Sequence, residues 1–425
     1  MGGFAPSGVN VPGRSAGGPA RDPGHPVRKT DRMPENTLPA SLPWIERLVA
    51  IDTTSRNSNL ELIEVLEEEM SRLGLTPERI PNDDGTKANL VLTLPAADGS
   101  TGGGVVLSGH TDVVPVDGQT WSSDPFVPEV RDGRIYGRGT ADMKSFIAVI
   151  MHALPELAAA SLSEPVHLAF SYDEEVGCFG GAQIAAALGA RPEPPRVCVV
   201  GEPSSMRVIA GHKSSNLVEL TFRGRSAHSS LTPQGVNAIE YAARAITAVR
   251  ALADRRRTEG PYDEAYVVPF TTAGVNVVSG GIATNTVPEL CTVRYEFRTV
   301  AEDDPTAVIE QISAVARGLE AEMRAEHPAA SVEVRVMAQV PSLDSSPDGP
   351  AAQLAVELGG TASGDKVTYG TEAGQFAGAG IDAVVCGPGD IAQAHAADEY
   401  IELDQVVACE QFIEALLARL TRTDG

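Results

Sequence analysis

The stretch Val105-Val106-Leu107-Ser108-Gly109-His110-Thr111-Asp112 begins as an apolar run and ends on an imidazole and a carboxylate. Two other runs have the same form. Val166 to Tyr172 leads into Asp173-Glu174-Glu175-Val176-Gly177, and Val197-Cys198-Val199-Val200 leads into Gly201-Glu202-Pro203. Short apolar runs bounded by Gly or Pro read as strands buried on both faces, the pattern of a parallel or mixed sheet covered by helices. In open α/β sheets, ligands sit beyond the carboxyl ends of the strands. Three strand ends bearing ligand groups can therefore converge on one crevice although they lie far apart in sequence.

Outward from these strands, Gly137-Arg138-Gly139-Thr140-Ala141-Asp142-Met143-Lys144 adds another carboxylate and Ala394-His395-Ala396 a second imidazole. No thiolate accompanies them. Imidazole and carboxylate suit zinc, with cobalt or manganese as substitutes. Two metals sharing one carboxylate would use about this many ligands and leave room for a water. Each segment also has an ordinary reading: Asp112 or Asp142 as a helix cap, Glu174-Glu175 as a solvated loop, Gly201-Glu202-Pro203 as a turn. Their shared position at strand ends, in order, favours the metal site.

The rest of the 425-residue chain is compatible with that site. Its length accommodates two or more domains with their own cores. No run approaches the length of a membrane span, and no signal-peptide pattern opens the sequence. A formal charge of -24 argues against nucleic acid or an anionic membrane as partner. Cys178, Cys198, Cys291, Cys386 and Cys409 are odd in number and in no paired spacing, which reads as reduced thiols of a cytoplasmic protein. Gly137-Arg138-Gly139 lacks the third glycine of a dinucleotide loop. His25, His152, His167, His212 and His327 have no carboxylate constellation around them and take structural readings.

Residues 1–36, rich in Gly, Pro, Arg and Ser, read as a disordered extension. Helical patterns follow at Ile45, Leu48 and Val49, and at Leu60, Ile63, Leu66 and Met70. From 214 to 339 the character changes to a compact insert. A strand over Leu217–Arg223, a helix from Asn237, strands over Thr272–Val278 and Cys291–Thr299, a helix capped by Asp304-Pro305 and a strand from Ser331 give β-α-β-β-α-β, the order of a ferredoxin-like domain. The expected fold is α/β: a mixed, largely parallel sheet with helices on both faces, built from 37–213 and 340–425 around the insert.

On these motifs the chain, from about Leu42 to its C-terminus, resembles the di-zinc amidohydrolases that include acetylornithine deacetylase, succinyl-diaminopimelate desuccinylase, aminoacylase and related carboxypeptidases. The resemblance implies that His110, Asp142 and Glu202 hold one zinc, and Asp142, Glu175 and His395 the other, with Co2+ as a substitute. It implies Glu174 as general base for attack of a zinc-bridging water on an amide, and Asp112 as a carboxylate orienting the ring of His110. It further implies that the insert is a lid and dimerisation domain of a homodimer. His228 would reach into the partner's site, Asn285 would assist it, and Arg298 would bind the substrate's carboxylate. Thr371 and Glu372, in Tyr369-Gly370-Thr371-Glu372-Ala373, resemble the Thr-Glu-Ala loop of the acetylornithine deacetylases, and Glu372 is expected to meet a cationic substrate tail. Ala396-Ala397 stands where that branch usually has Gln-Pro. The implied substrate is a small N-acylated amino acid, foremost N2-acetylornithine. A broader N-acyl-amino-acid hydrolase or a desuccinylase is the alternative.

Overall fold

The computed structural model describes residues 38–421; the expected N-terminal extension lies outside them. Six strands form the larger sheet, in the order Glu78–Pro81, Ala88–Leu94, Val166–Ser171, Val105–His110, Val197–Pro203, Asp382–Gly387. The last four are mutually parallel, and Ala88–Leu94 joins them antiparallel. Alternate side chains of these strands feed two cores. Val105, Leu107, Leu168 and Val199 pack with helices Leu42–Val49, Leu60–Arg72, Lys144–Ala159 and Leu403–Leu420. Val106, Ala169, Cys198 and Val200 pack on the opposite face with helices Phe179–Gly189 and Ala373–Gly378. Helices on both faces explain why these strands are apolar throughout rather than alternating.

The helix Lys144–Ala159 runs against the strand ends and is buried nearly all round over its first half. A Cβ on Gly201 would lie 2.1 Å from the Phe146 ring, so only glycine lets the helix press this closely beside Glu202. Lys144 is itself buried. Its Nζ donates to the carbonyls of Leu48 (3.0 Å) and Ile51 (2.7 Å), satisfying acceptors at the C-terminal end of helix Leu42–Val49.

The second sheet is antiparallel throughout, in the order Thr272–Gly280, Leu290–Arg298, Ser215–Arg223, Ser331–Val340. Helices Ala238–Glu259 and Pro305–Glu326 share its separate core with Val218, Phe222, Val293, Tyr295 and Phe297. The chain order is β-α-β-β-α-β, as expected of a ferredoxin-like unit. Asp304 caps its helix by accepting from Thr306 N at 2.8 Å, with Pro305 at the first position. Among the described residues no helix is long and apolar enough to cross a membrane.

Candidate metal centre

The strand ends do converge. His110 closes its strand, Glu202 lies near the end of the neighbouring one, and Glu174-Glu175 follow the strand on the other side. Asp142 precedes the helix Lys144–Ala159 and makes no cap to it. Its two oxygens instead face two imidazoles: Oδ1 lies 2.9 Å from His110 Nε2, and Oδ2 lies 3.2 Å from His395 Nε2. His110 Nε2 is also 3.6 Å from Glu202 Oε1, and His395 Nε2 is 3.0 Å from Glu175 Oε2. Ligand atoms of His110, Asp142 and Glu175 lie within 4.8 Å of one another, as do those of His110, Glu174 and Glu202. One carboxylate with an oxygen toward each of two histidines is the disposition a shared ligand needs.

The electrostatics point the same way. Burial alone would lower His110, yet the Asp142 and Glu202 carboxylates hold it well above the usual histidine range. Hydrogen bonds to Asp142 and Glu175 raise His395 to about 10. Burial pushes Glu202, Glu174 and Glu175 upward, with neighbouring carboxylates adding to the effect. Asp142 is held low against its own burial by the two imidazoles. Glu175 Oε1 is buried without a hydrogen-bond partner. Several buried carboxylates, an orphaned oxygen among them, arranged about two imidazoles form a site whose charge a divalent cation would balance. These residues fit the metal that their pattern implies.

The supporting contacts differ in part from expectation. His110 Nδ1 lies 2.9 Å from the backbone carbonyl of Asp112, while the Asp112 carboxylate is 3.6 Å away. A carbonyl only accepts, so Nδ1 carries the proton and Nε2 is the nitrogen turned to the site. The main chain of Asp112 thus orients the ring, and its carboxylate does something else. It accepts from the backbone N–H groups of Glu174 (3.0 Å) and Glu175 (3.3 Å), and from Ser55 Oγ (2.7 Å). Asp173 and Cys178, both at positive φ, bracket that acidic loop, and Lys87 ties it down through Asp173 and the Ser55 carbonyl.

The cleft above the cluster, of about 720 Å³, is lined by Asp142, Glu174, Glu175, Glu202 and His395 on one side. Ser215, Leu217, Glu296, Arg298, Met337 and Val340, from the second sheet, line the other. Arg298 is therefore where a substrate group would meet it. Thr371 and Glu372 are not. Thr371 is 1% exposed and its hydroxyl accepts from Ala373 N. Glu372 is fully buried, accepting from Ser108 Oγ at 2.6 Å and Ser171 Oγ at 2.7 Å on two adjacent strands. The expected contact of Glu372 with a cationic tail does not fit a carboxylate sealed under the strand ends. His228 and Asn285 do not line this cleft either. Both are exposed, and they lie together, with His228 paired to Thr286 and Ser229 N donating to the Asn285 carbonyl.

Three residues emerge that the motifs did not single out. Glu399 is buried, with Oε1 accepting from the N–H groups of Gly139 (3.0 Å), Ala141 (2.9 Å) and Asp142 (3.1 Å), and Oε2 paired with Arg138. It fastens the loop of His395 to the loop of Asp142. Gly139, at φ +86°, gives that loop its bend. The thiol of Cys178 donates to Glu174 Oε1 across 3.0 Å. Glu296 pairs with Arg298 at 2.6 Å. Its alternation with Arg294 and Arg298 marked a polar strand face, which was the available signal; the burial of Glu399 had none.

Residues 106–419 match peptidase family M20/M25/M40. An acetylornithine deacetylase of Myxococcus xanthus is 33% identical over 386 residues, 90% of this chain and 97% of that protein. One from Proteus mirabilis (strain HI4320) is 34% identical, covering 83% and 88%. In structure, an M20 family metallo-carboxypeptidase from Sulfolobus solfataricus aligns with a TM-score of 0.70 at 19% identity, covering 92% of this chain and 99% of that one. A tripeptidase from Staphylococcus aureus subsp. aureus Mu50 gives 0.67 at 21%, covering 90% and 98%. Fold, cluster and sequence agree: the chain belongs to peptidase family M20/M25/M40 and is a hydrolase of amide bonds.

Proposed function

We propose that the protein removes the acetyl group of N2-acetylornithine, releasing ornithine and acetate for arginine synthesis. The carrying observation is the cleft itself, with the His110–Asp142–His395 cluster and Glu174 on one wall and Arg298 on the other. The names of relatives 33–34% identical over most of the chain support that substrate. In this reading His110, Asp142 and Glu202 hold one zinc, and Asp142, Glu175 and His395 a second. When bound, the metals supply Lewis acidity toward the amide carbonyl and acidify the attacking water.

The chain's own groups do the rest. Glu174, whose backbone is held by Asp112, accepts the proton of the attacking water and returns it to the departing amine as the C–N bond breaks. Cys178 keeps the Glu174 carboxylate turned in one direction by donating to Oε1. Arg298 binds the α-carboxylate through a forked guanidinium. Asp142, shared between His110 and His395, couples both halves of the cluster.

The same proposal divides the chain into a catalytic domain, 37–213 with 340–425, and an inserted domain, 214–339, because the two sheets bury separate cores. The insert would make a homodimer. Its edge strand Thr272–Gly280 exposes Val277 and Val278, and Ile282 follows at 90% exposure. An apolar, unpaired edge is a surface that a second copy covers. His228 and Asn285 lie beside it, placed to complete the site of that second copy. All five cysteines are free, as the cytoplasm requires.

The test is kcat/KM for N2-acetylornithine, N-acetylmethionine and N-succinyl-diaminopimelate, with zinc-loaded and chelated protein. Preference for acetylornithine, lost on chelation, is expected. Glu174→Gln should lower kcat about 10²–10⁴-fold without changing zinc content. Preference for another of the three substrates moves the function within the family; a fully active Glu174→Gln removes the base.

A further inference from the structure

Outside the metal cluster and Glu174, the charged residues lining the cleft are two: Glu296 and Arg298. Both stand on strand Leu290–Arg298, two residues apart, so the strand period puts them on one face while Tyr295 and Phe297 enter the core. Arg298 Nε donates to Glu296 Oε1 at 2.6 Å, and each side chain is about a third exposed, at 33% and 32%. Leu217, Met337 and Val340 line the same wall and offer apolar cover for a methylene chain.

We propose that Glu296 reads a positive charge on the substrate's side chain while Arg298 takes its carboxylate. The inference rests on the reading of this cleft as the site of an N-acyl-amino-acid hydrolase, and it replaces Glu372, whose carboxylate is sealed away. Charge balance carries it. Without substrate, Glu296 and Arg298 neutralise each other. A substrate carboxylate that engages Arg298 competes for the guanidinium and leaves Glu296 facing a cleft already rich in carboxylates. A substrate carrying an ammonium as well exchanges one ion pair for two. A neutral tail leaves Glu296 uncompensated. The contrast with Glu219, on the neighbouring strand, is instructive. Glu219 is held by Arg294 (2.7 Å) and Arg335 (2.9 Å) at once, and it does not line the cleft. Among these face carboxylates, Glu296 is the one whose guanidinium partner substrate would claim.

The experiment uses two matched pairs on metal-loaded enzyme: N2-acetylornithine against N-acetylnorvaline, and N2-acetyllysine against N-acetylnorleucine. Each pair differs by the terminal ammonium. Glu296→Gln should lower the cationic-to-neutral ratio of kcat/KM about tenfold, the scale of one hydrogen bond to a charged group, through KM rather than kcat. Glu296→Asp, which keeps the charge, should restore most of the ratio. An unchanged ratio in Glu296→Gln overturns the proposal, as does an equal loss on both members of each pair, which would mean that Glu296 only positions Arg298. Wild-type turnover of either pair tests the reading of the cleft separately; no turnover of any of the four overturns both.

Discussion

Replacing Glu399 by glutamine tests whether the His395 and Asp142 loops are held together by one buried carboxylate. The amide oxygen of the introduced side chain can still accept from the N–H groups of Gly139, Ala141 and Asp142, so the loop keeps its backbone acceptor. The amide nitrogen, however, is a donor, and it would face the guanidinium of Arg138, which is 1% exposed. Breaking a buried ion pair by removing one partner costs about 3–5 kcal/mol. Arg138 retains Gln119 Oε1 at 2.8 Å and the Trp121 ring at 5.1 Å, which places the expected loss near the lower end, about 3 kcal/mol. The two tryptophans report on the relevant unit, since Trp44 packs on its core and Trp121 lies over Arg138 itself. Guanidinium unfolding followed by their fluorescence, in excess chelator, measures the loss without metal linkage. Arg138→Met combined with Glu399→Gln should recover part of it, because no unpaired charge is left buried. In the metal-loaded protein, zinc affinity should fall about 10–100-fold, the usual effect of losing a partner behind a ligand. A stability loss below about 1 kcal/mol, the range of an exposed pair, would refute the argument.

Two other outcomes follow from groups away from the cluster. His212 is fully buried, and burial pushes its imidazole down to about 4. The unfolded chain therefore binds a proton first as pH falls below about 6.5, and folding stability is lost between that value and the folded one. From pH 7 to 5 the wild type should lose about 2 kcal/mol more than His212→Gln, measured by denaturant midpoints at both pH values; parallel curves would show that His212 does not titrate this way. Val278→Lys, on the exposed edge strand Thr272–Gly280, should shift the protein from dimer to monomer in sedimentation and lower kcat through loss of His228 from the second copy. A dimer of unchanged affinity would place the interface elsewhere.

The sheet and most of the cluster were legible because strand ends are local features. Val105–His110, Val166–Ser171 and Val197–Pro203 announce themselves by β-branched runs, and whatever follows such a run projects into the same crevice. The insert was legible through its alternation and through Asp304-Pro305, a cap that needs only neighbouring residues. Contacts across long separations were not. Glu372 resembles a substrate-loop glutamate by its flanking residues. What buries it is Ser108, 264 positions away, and Ser171, 201 positions away. Both serines sit in apolar strands where a hydroxyl carries no evident signal. The same limit hid Glu399, whose short loop with His395 reads as an acidic turn until Gly139 and Asp142 are brought to it. His228 and Asn285 were named by motif, and their pairing through Thr286 shows only that they act from one place.

The two walls of the cleft are built to different rules, and this bears on how the site can change. Every group behind the cluster is buried and multiply bonded: Asp112 accepts from Ser55, Glu174 and Glu175, and Glu399 from three N–H groups and Arg138. Altering any of them leaves a buried donor or charge unpartnered, at about 1–3 kcal/mol each, so the chemical step tolerates little variation. Glu296 and Arg298 form a single pair, a third exposed, on the outer face of a sheet whose core lies on its other side. Substitution there disturbs no buried network, and exposed pairs contribute about 0–1 kcal/mol to stability. The wall that recognises substrate charge is thus the one that can be rewritten without loss of fold or metal. A chain with this cluster intact should accept a new side-chain preference by changes at positions 296 and 298 alone.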